Sequence, residues 1–281
     1  MAEFNLMPFS SREITQNVEK YGVDKSSMPF ARSFVLAIMA GLYIGLGCMF
    51  YFIVMSDWHG AFGPGVIMGG FAFLLGLTAV VIAGAELFTG NTMLTISWRQ
   101  GKVTTAGVLR NWAIVIAGNL VGSVLLAVLA RWSGHYQLNG GLVGVKVLSV
   151  GYSKSTLSYE MAFARGILCN IYVCLAVWMA YAGRSVTDKI LAMLLPILAF
   201  IASGSEHIVA NLFYGSYALL LKGTSVAAQM EAQKLAAITL PNFAVRQIFV
   251  LLGNIVGGGI FIAGPYWFAW LRGETPAGGT K

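Results

Sequence analysis

Six long apolar stretches constrain the fold of this chain more than any other feature of its sequence. A helix needs about 20 mostly apolar residues to cross a lipid bilayer, and each stretch reaches that length. Only 10% of the residues are charged, whereas a soluble domain carries about 25%. The sequence therefore predicts an integral membrane protein with six spans, at roughly 31–55, 65–98, 107–131, 160–182, 188–221 and 244–270.

The remaining composition excludes several other classes of protein. The net charge of +7 comes from tails and loops, which offer no basic face for a nucleic acid. The three cysteines lie in apolar segments without C-x-x-C spacing, so we expect no disulfide framework, no metal and no cofactor. The sequence shows no P-loop and no nucleophile–base arrangement, which argues against an enzyme. The first 29 residues have no apolar core, so we expect no cleavable signal peptide.

Lysine and arginine are distributed unequally along the chain. The two tails and the second and fourth connections carry eleven of these residues, whereas the other three connections carry six. Cytoplasmic loops of membrane proteins are enriched in positive charge. We therefore expect both ends of the chain to lie in the cytoplasm.

The second and fifth stretches contain about 34 residues each, and each has a polar cluster at mid-span. Both clusters read G-x-E-x-x-x-x-N, at Gly84–Asn91 and, 120 residues later, at Gly204–Asn211. A second pair of similar runs starts at Gly118 and Gly253. Each half has three spans, an odd number, so the halves enter the membrane in opposite directions. We predict a 3+3 inverted repeat with broken second and fifth helices, as in many transporters; a long tilted helix is the alternative at each cluster.

The breaks are where we place the functional site, because exposed backbone in lipid is tolerated only in a cavity or inside protein. His207 falls at the second break and can exchange a proton near neutral pH; the alternative is a neutral histidine satisfied by a hydrogen bond. Thr89 offers a hydroxyl that can bond an anion and His207 in turn. We expect no lysine at mid-membrane. An anion at the breaks would instead be attracted by the N-termini of the half-helices and by hydrogen-bond donors that line the pore.

Structural roles are expected for the other residues of the breaks. Glu86 and Glu206 should accept hydrogen bonds from backbone donors of the broken helices, with proton relay as the alternative. Gly90, beside Asn91, is expected to have a positive φ. Four amides should bond between helices, one or two reaching the pore: Asn119, Asn170, Asn211 and Asn254. Four apolar residues flank the centre, as constrictions or as ordinary packing: Phe73, Leu77, Phe88 and Phe200.

The two clusters resemble the signatures of the formate/nitrite transporter family. The matching runs are Ala85–Asn91 and Ala202–Asn211, with further similarity at Cys169–Met179, Gly183–Lys189 and Gly253–Gly259. The resemblance implies an all-α, aquaporin-like protomer in the lipid bilayer, assembled as a homopentamer. It also implies passage of small monovalent weak-acid anions, formate first, with nitrite and hydrosulfide as alternatives.

The resemblance also implies a division of the chain and roles for its residues. Residues 1–29 would form a cytoplasmic amphipathic segment, 30–271 a six-helix channel domain and 272–281 a cytoplasmic tail, in a bacterial inner membrane. By motif match, the pore centre would comprise His207, Thr89, Asn170 and Asn254. The constrictions would comprise Leu77, Leu87, Phe88, Val173 and Phe200.

The substrate stays open at this point. Thr89–Met93 resembles nitrite-type and other formate-uptake members more than the fermentative formate channels, whereas Gly183–Ser185 and Gly257–Gly259 resemble the formate channels. Ser205 stands where an aromatic residue often precedes the glutamate, which widens the pore beside His207. A neutral-solute channel like an aquaporin is the alternative of a different class, although paired Asn-Pro-Ala motifs are missing. Proton coupling, the direction of transport and gating by residues 1–28 are also left open.

Overall fold

The structure is a computed structural model that describes residues 7–273, and all regular elements in that range are helices. Parts of the two predicted terminal segments, residues 1–6 and 274–281, lie outside the described residues. The α-helices are α1 (Ser11–Ser27), α2 (Phe30–Met55), α3 (Phe62–Ala83), α4 (Phe88–Asn91), α5 (Thr95–Arg99), α6 (Thr105–Trp132), α7 (Leu142–Thr156), α8 (Tyr159–Ala182), α9 (Val186–Ala202), α10 (Ile208–Leu221), α11 (Ala232–Ala237), α12 (Leu240–Val256) and α13 (Ala263–Trp270).

Five helical segments of the described chain are long and apolar enough to cross a membrane: α2, α3, α6, α8 and the continuous segment Leu240–Trp270. That last segment joins α12 to α13 through a π-helical turn at Gly257–Ile262. The predicted stretch 65–98 is divided into α3 and the short α4 and α5, and the stretch 188–221 into α9 and α10. The long tilted helix is therefore wrong at both clusters, because each stretch contains a non-helical interruption.

Glycines allow two pairs of helices to approach closely. On α2 and α6, a Cβ at Gly41 would overlap the carbonyl of Asn119, and one at Gly122 would overlap the carbonyl of Ile38. On α8 and α12, a Cβ at Gly253 would overlap the carbonyl of Phe163. Small residues permit such backbone contact between membrane helices. The close approach brings the asparagines of α6 and α12 within reach of the interruptions.

Two helices outside the long spans also pack against the bundle. On α1, the Glu19 carboxylate pairs with Lys102 at 2.8 Å, and the Tyr21 ring stacks on Tyr181 at 5.0 Å between centroids. The helix α7 follows the loop after α6 and packs against α10 and α12. Each of these helices directly precedes a long helix, α2 or α8.

Candidate functional site

Each interruption begins at a glycine in the left-handed region. Gly84 has φ +80° at the end of α3, and Gly204 has φ +61° just after α9. Glycine is favoured there because it has no Cβ to clash. Gly90 lies inside α4 and is not among the residues with positive φ. The prediction for Gly90 is therefore wrong, because the chain turns where the first half-helix ends and not where the next one starts.

Asn119 of α6 satisfies the backbone of the first interruption. Its Oδ1 accepts from the Phe88 N–H at 3.0 Å, and its Nδ2 donates to the carbonyls of Ala37 at 2.8 Å and Glu86 at 2.9 Å. Asn119 is fully buried. One side chain thus pairs two backbone groups of the interruption, each of which would cost about 1–3 kcal/mol if left unsatisfied, and also bonds a carbonyl of α2.

Asn254 of α12 makes the same three contacts at the second interruption. Its Oδ1 accepts from the Ile208 N–H at 3.0 Å, and its Nδ2 donates to the carbonyls of Gly166 at 2.8 Å and Glu206 at 2.9 Å. This amide was assigned to the pore by resemblance. In the structure its polar atoms bond backbone groups of α8, the interruption and α10.

Within residues 7–273, Glu86 and Glu206 accept hydrogen bonds from side chains and not from backbone N–H groups. Glu86 accepts from Lys25 Nζ at 2.6 Å and from Asn91 Nδ2 at 2.8 Å. Glu206 repeats this arrangement with Lys154 at 2.7 Å and Asn211 at 2.8 Å. The expectation that they bond exposed backbone N–H groups is therefore wrong. Asn119 and Asn254 accept from the Phe88 and Ile208 N–H groups instead, and a buried carboxylate is better compensated by a cation.

The two lysines that pair with these glutamates were missed by the sequence analysis. Lys25 lies near the end of α1 and Lys154 near the end of α7, in segments that were assigned to a tail and a loop. A signal exists in the sequence, since G-x-x-K-S occurs at Gly22–Ser26 and again at Gly151–Ser155. The recurrence therefore includes the helix before each half, and a lysine side chain that the sequence analysis did not single out reaches each break.

His207 caps the first turn of α10 and joins the two interruptions. Its Nδ1 accepts from the Ala210 N–H at 3.1 Å, and its Nε2 lies 3.0 Å from Thr89 Oγ1. A backbone N–H only donates, so Nδ1 carries no proton in this arrangement. The proton of the neutral ring is on Nε2, which donates to Thr89. The Thr89 hydroxyl hydrogen is then available to another acceptor.

Asn170 holds the backbone beside Thr89. Its Nδ2 lies 3.1 Å from the Thr89 carbonyl, 2.9 Å from Thr92 Oγ1 and 2.6 Å from the Asn254 carbonyl. Cys174 Sγ lies 3.4 Å from the same Thr89 carbonyl. These contacts connect the start of α4 to α8 and α12, so they orient the Thr89 hydroxyl toward His207.

The centre is surrounded by apolar side chains. The Phe200 ring meets the His207 ring edge-on at 6.0 Å between centroids, and Phe73 lies 5.5 Å from Phe200. The six residues predicted as constrictions are at most 3% exposed and belong to one hydrophobic cluster: Phe73, Leu77, Leu87, Phe88, Val173 and Phe200. The pair Thr89–His207 is therefore flanked by apolar side chains.

Two cavities approach this centre from different sides. The first, here called the Lys25 cavity, has a volume of about 430 Å³ and is lined by Lys25, Leu77 and Leu87 among others. The second, the Lys154 cavity, has a volume of about 220 Å³ and is lined by Lys154 and His207 among others. The arrangement is suited to admitting a small solute to a narrow apolar centre that carries a few hydrogen-bond donors.

Comparisons with known proteins identify the family of this chain. The family model described as formate/nitrite transporter matches residues 12–268. The chain is 36% identical over 262 residues to the formate channel FocA of Escherichia coli (strain K12), covering 90% of this chain and 92% of that protein. It is 38% identical over 250 residues to the nitrite transporter NirC of Salmonella typhimurium (strain LT2), covering 86% and 85%.

A solved structure described as "Pentameric formate channel with formate bound" matches with a TM-score of 0.78 at 37% identity. The match covers 86% of this chain and 98% of that one. These relatives are channels and transporters and not enzymes. The chain therefore belongs to the formate/nitrite transporter family.

Proposed function

We propose that this protein conducts small monovalent anions of weak acids, principally formate, across a bacterial inner membrane. The observation that carries the proposal is the 3.0 Å contact between Thr89 Oγ1 and His207 Nε2, in an apolar centre between two cavities. Relatives named as a formate channel and as a nitrite transporter are similarly identical to the chain, at 36% and 38%. Nitrite is therefore the second candidate substrate and hydrosulfide the third.

The proposed architecture is a six-span protomer built as a 3+3 inverted repeat, with both ends in the cytoplasm. Its support is the recurrence of the Asn119 contacts at Asn254 and of the Lys25–Glu86 pair at Lys154–Glu206. In this orientation the Lys25 cavity faces the cytoplasm and the Lys154 cavity faces the outside. Both interruptions lie in one chain, so each protomer of the proposed homopentamer contains a complete path.

The chemistry proposed for the centre is transfer of a proton to the entering anion. A bare anion in an apolar constriction has a desolvation cost of at least several kcal/mol, whereas the neutral acid avoids it. His207 must first acquire a second proton at Nδ1, which requires release of the Ala210 N–H. His207 Nε2–H then goes to Thr89 Oγ1 as the Thr89 hydroxyl proton goes to the anion. The products are a neutral imidazole and a neutral acid.

The experiment that tests this proposal is flux into proteoliposomes with formate, nitrite and hydrosulfide at two pH values, with the external pH recorded. We expect anion entry to alkalinise the external medium, and His207→Gln to abolish that signal. The matched control is His135→Gln, a buried histidine bonded to Tyr217 at 3.1 Å and outside the centre. It should leave the coupled signal intact.

Other outcomes discriminate between the alternatives. Anion flux in the wild type without proton movement would contradict proton transfer and leave a fixed imidazolium that attracts the anion. Flux of glycerol or water without anion flux would favour the neutral-solute channel. For the assembly, mass measurement in mild detergent should give five protomers, and a stable monomer or trimer would contradict the pentamer.

A further inference from the structure

The Lys154 cavity contains polar groups that the proposed transport step does not use. Arg165 of α8 lines it, and its guanidinium has no hydrogen bond or ion pair within residues 7–273. Ser205 also lines it, and its Oγ is buried without a hydrogen-bond partner in the same range. Buried polar atoms are nearly always bonded in native proteins. The unpartnered Ser205 hydroxyl, beside a half-buried guanidinium that could donate to the same group, therefore indicates a ligand with acceptor atoms.

The charges that line the cavity do not balance. Lys154 is neutralised by Glu206, the acidic residue among the lining residues. His207 is neutral in the arrangement described above, so the guanidinium of Arg165 leaves one positive charge uncompensated. In addition, only one of the three Lys154 N–H groups has a partner in the described chain. A partly enclosed cation without a partner favours an anion beside it.

The Lys25 cavity shows that the repeat does not require these groups. The Glu206 N–H donates to the Arg165 carbonyl at 3.2 Å, and at the other interruption the Glu86 N–H donates to the Leu36 carbonyl at 3.2 Å. Arg165 therefore occupies the position of Leu36, and Ser205 occupies that of Ala85. Neither polar side chain is needed to build an interruption, which points to a role in binding.

We propose that Arg165 and Ser205, with the free N–H groups of Lys154, form a subsite for planar anions with two oxygen acceptors, such as a carboxylate or nitrite. The planar guanidinium binds two oxygens of one anion in parallel, which a spherical anion cannot reproduce. The Ser205 hydroxyl adds a third donor. The subsite selects the anion before it reaches His207. The ligand class rests on the proposed function, whereas the charge and the free donors do not.

The test uses a cysteine reporter in purified protein, so that neither transport nor orientation is required. Ser153 is exposed and lines the Lys154 cavity, and the three native cysteines are buried. We compare the modification rates of Ser153→Cys by anionic sulfonatoethyl methanethiosulfonate and by its cationic trimethylammonioethyl analogue. Adding Arg165→Leu should lower the anionic-to-cationic rate ratio about tenfold, because a positive charge is lost at close range. An unchanged ratio would overturn the proposal.

Protection by ligands tests the geometry of the subsite. Sodium formate and sodium nitrite should slow modification of the reporter more than sodium chloride at equal concentration. Arg165→Lys should keep the anionic-to-cationic rate ratio and lose the preference for formate over chloride. Lysine retains the positive charge but lacks the planar guanidinium that can bind two oxygens in parallel. Ser205→Ala should weaken protection about threefold, as expected for one neutral hydrogen bond. Equal protection by chloride in the parent protein would overturn the planar-anion assignment.

Two controls separate the possible causes of failure. Arg131→Leu removes an exposed arginine that does not line the cavity and should leave both readouts unchanged. Arg165→Lys keeps the proposal testable if Arg165→Leu does not fold. If formate flux is normal but Arg165→Leu does not change the rate ratio at Ser153→Cys, the subsite is refuted and the proposed function is not. Protection by formate without any flux would refute the proposed function alone.

Discussion

The two interrupted regions of this protein have the same supports and different centres. In both, a left-handed glycine is followed two residues later by a glutamate, which accepts from a lysine and from an asparagine. In both, an asparagine of a later helix bonds the exposed backbone. We call these contacts the shared frame. Within it, Leu87 occupies the position of His207, and Val209 occupies that of Thr89.

The difference teaches that the supports recur in both regions, whereas the central pair Thr89–His207 does not. The first interruption supplies Thr89 and the second supplies His207, from positions that are not equivalent in the repeat. The helices that follow also differ, since α4 has four residues and leads into a 3-10 turn, whereas α10 has 14 residues. The centre is therefore asymmetric although the frame around it is repeated.

The largest expected effect comes from removing the amides of the frame. Asn119→Leu leaves the Phe88 N–H and the Glu86 carbonyl unpaired, and Asn254→Leu does the same to the Ile208 N–H and the Glu206 carbonyl, at about 1–3 kcal/mol per group. We expect both variants to lose the folded protein, as measured by circular dichroism and size-exclusion chromatography in detergent. Leu120→Ala, at an exposed position beside Asn119, is the control and should melt like the wild type. A native melting curve for only one asparagine variant would show that the frame is not shared.

The next largest effect comes from the lysine–glutamate pairs. Lys25→Met leaves the buried Glu86 carboxylate without its cation, and Lys154→Met does the same to Glu206. Breaking such a buried ion pair costs about 3–5 kcal/mol. The Lys154 side chain is 13% exposed and that of Lys25 is 22% exposed, so we expect the larger loss of thermal stability for Lys154→Met.

A second substitution and a control sharpen this comparison. Glu206→Gln in the Lys154→Met background removes the unpaired negative charge and should recover part of the loss in melting temperature. Lys20→Met, at an exposed position on α1, should change it little. Equal melting temperatures for Lys154→Met and the wild type would contradict a stabilising role for the pair.

The smallest effect is expected at the glycines. Gly84→Ala and Gly204→Ala place a Cβ on left-handed backbone, which costs about 1–2 kcal/mol. A Cβ at either position meets nothing within 4 Å, so the loss is from backbone conformation alone. Gly90→Ala is the matched control, because its φ is not positive and its surroundings are also open. It should melt within about 0.5 kcal/mol of the wild type. A larger loss at Gly90 than at Gly84 would reverse this ranking.

The local sequence pattern was sufficient to predict part of the fold and of the candidate site. The apolar stretches predicted the long helices, and the repeated G-x-E-x-x-x-x-N runs located both interruptions and, by resemblance, the family. Lipid offers no partners to the backbone, so a span must be long, apolar and helical, and a polar cluster inside it is conspicuous. The same pattern could not assign the positive φ to Gly84 instead of Gly90, because that choice depends on where the first half-helix ends.

The sequence by itself determined a helical membrane protein, the places where its helices break and the residues Thr89 and His207 as candidates for the centre. Only the tertiary structure decided the partners of those polar groups: Asn119 and Asn254 on the exposed backbone, and Lys25 and Lys154 on the glutamates. Thr89 and His207 themselves are 118 residues apart in the chain. The physical reason is that a buried polar group is satisfied by whichever donor or acceptor the helix packing brings close, and sequence distance does not record that proximity.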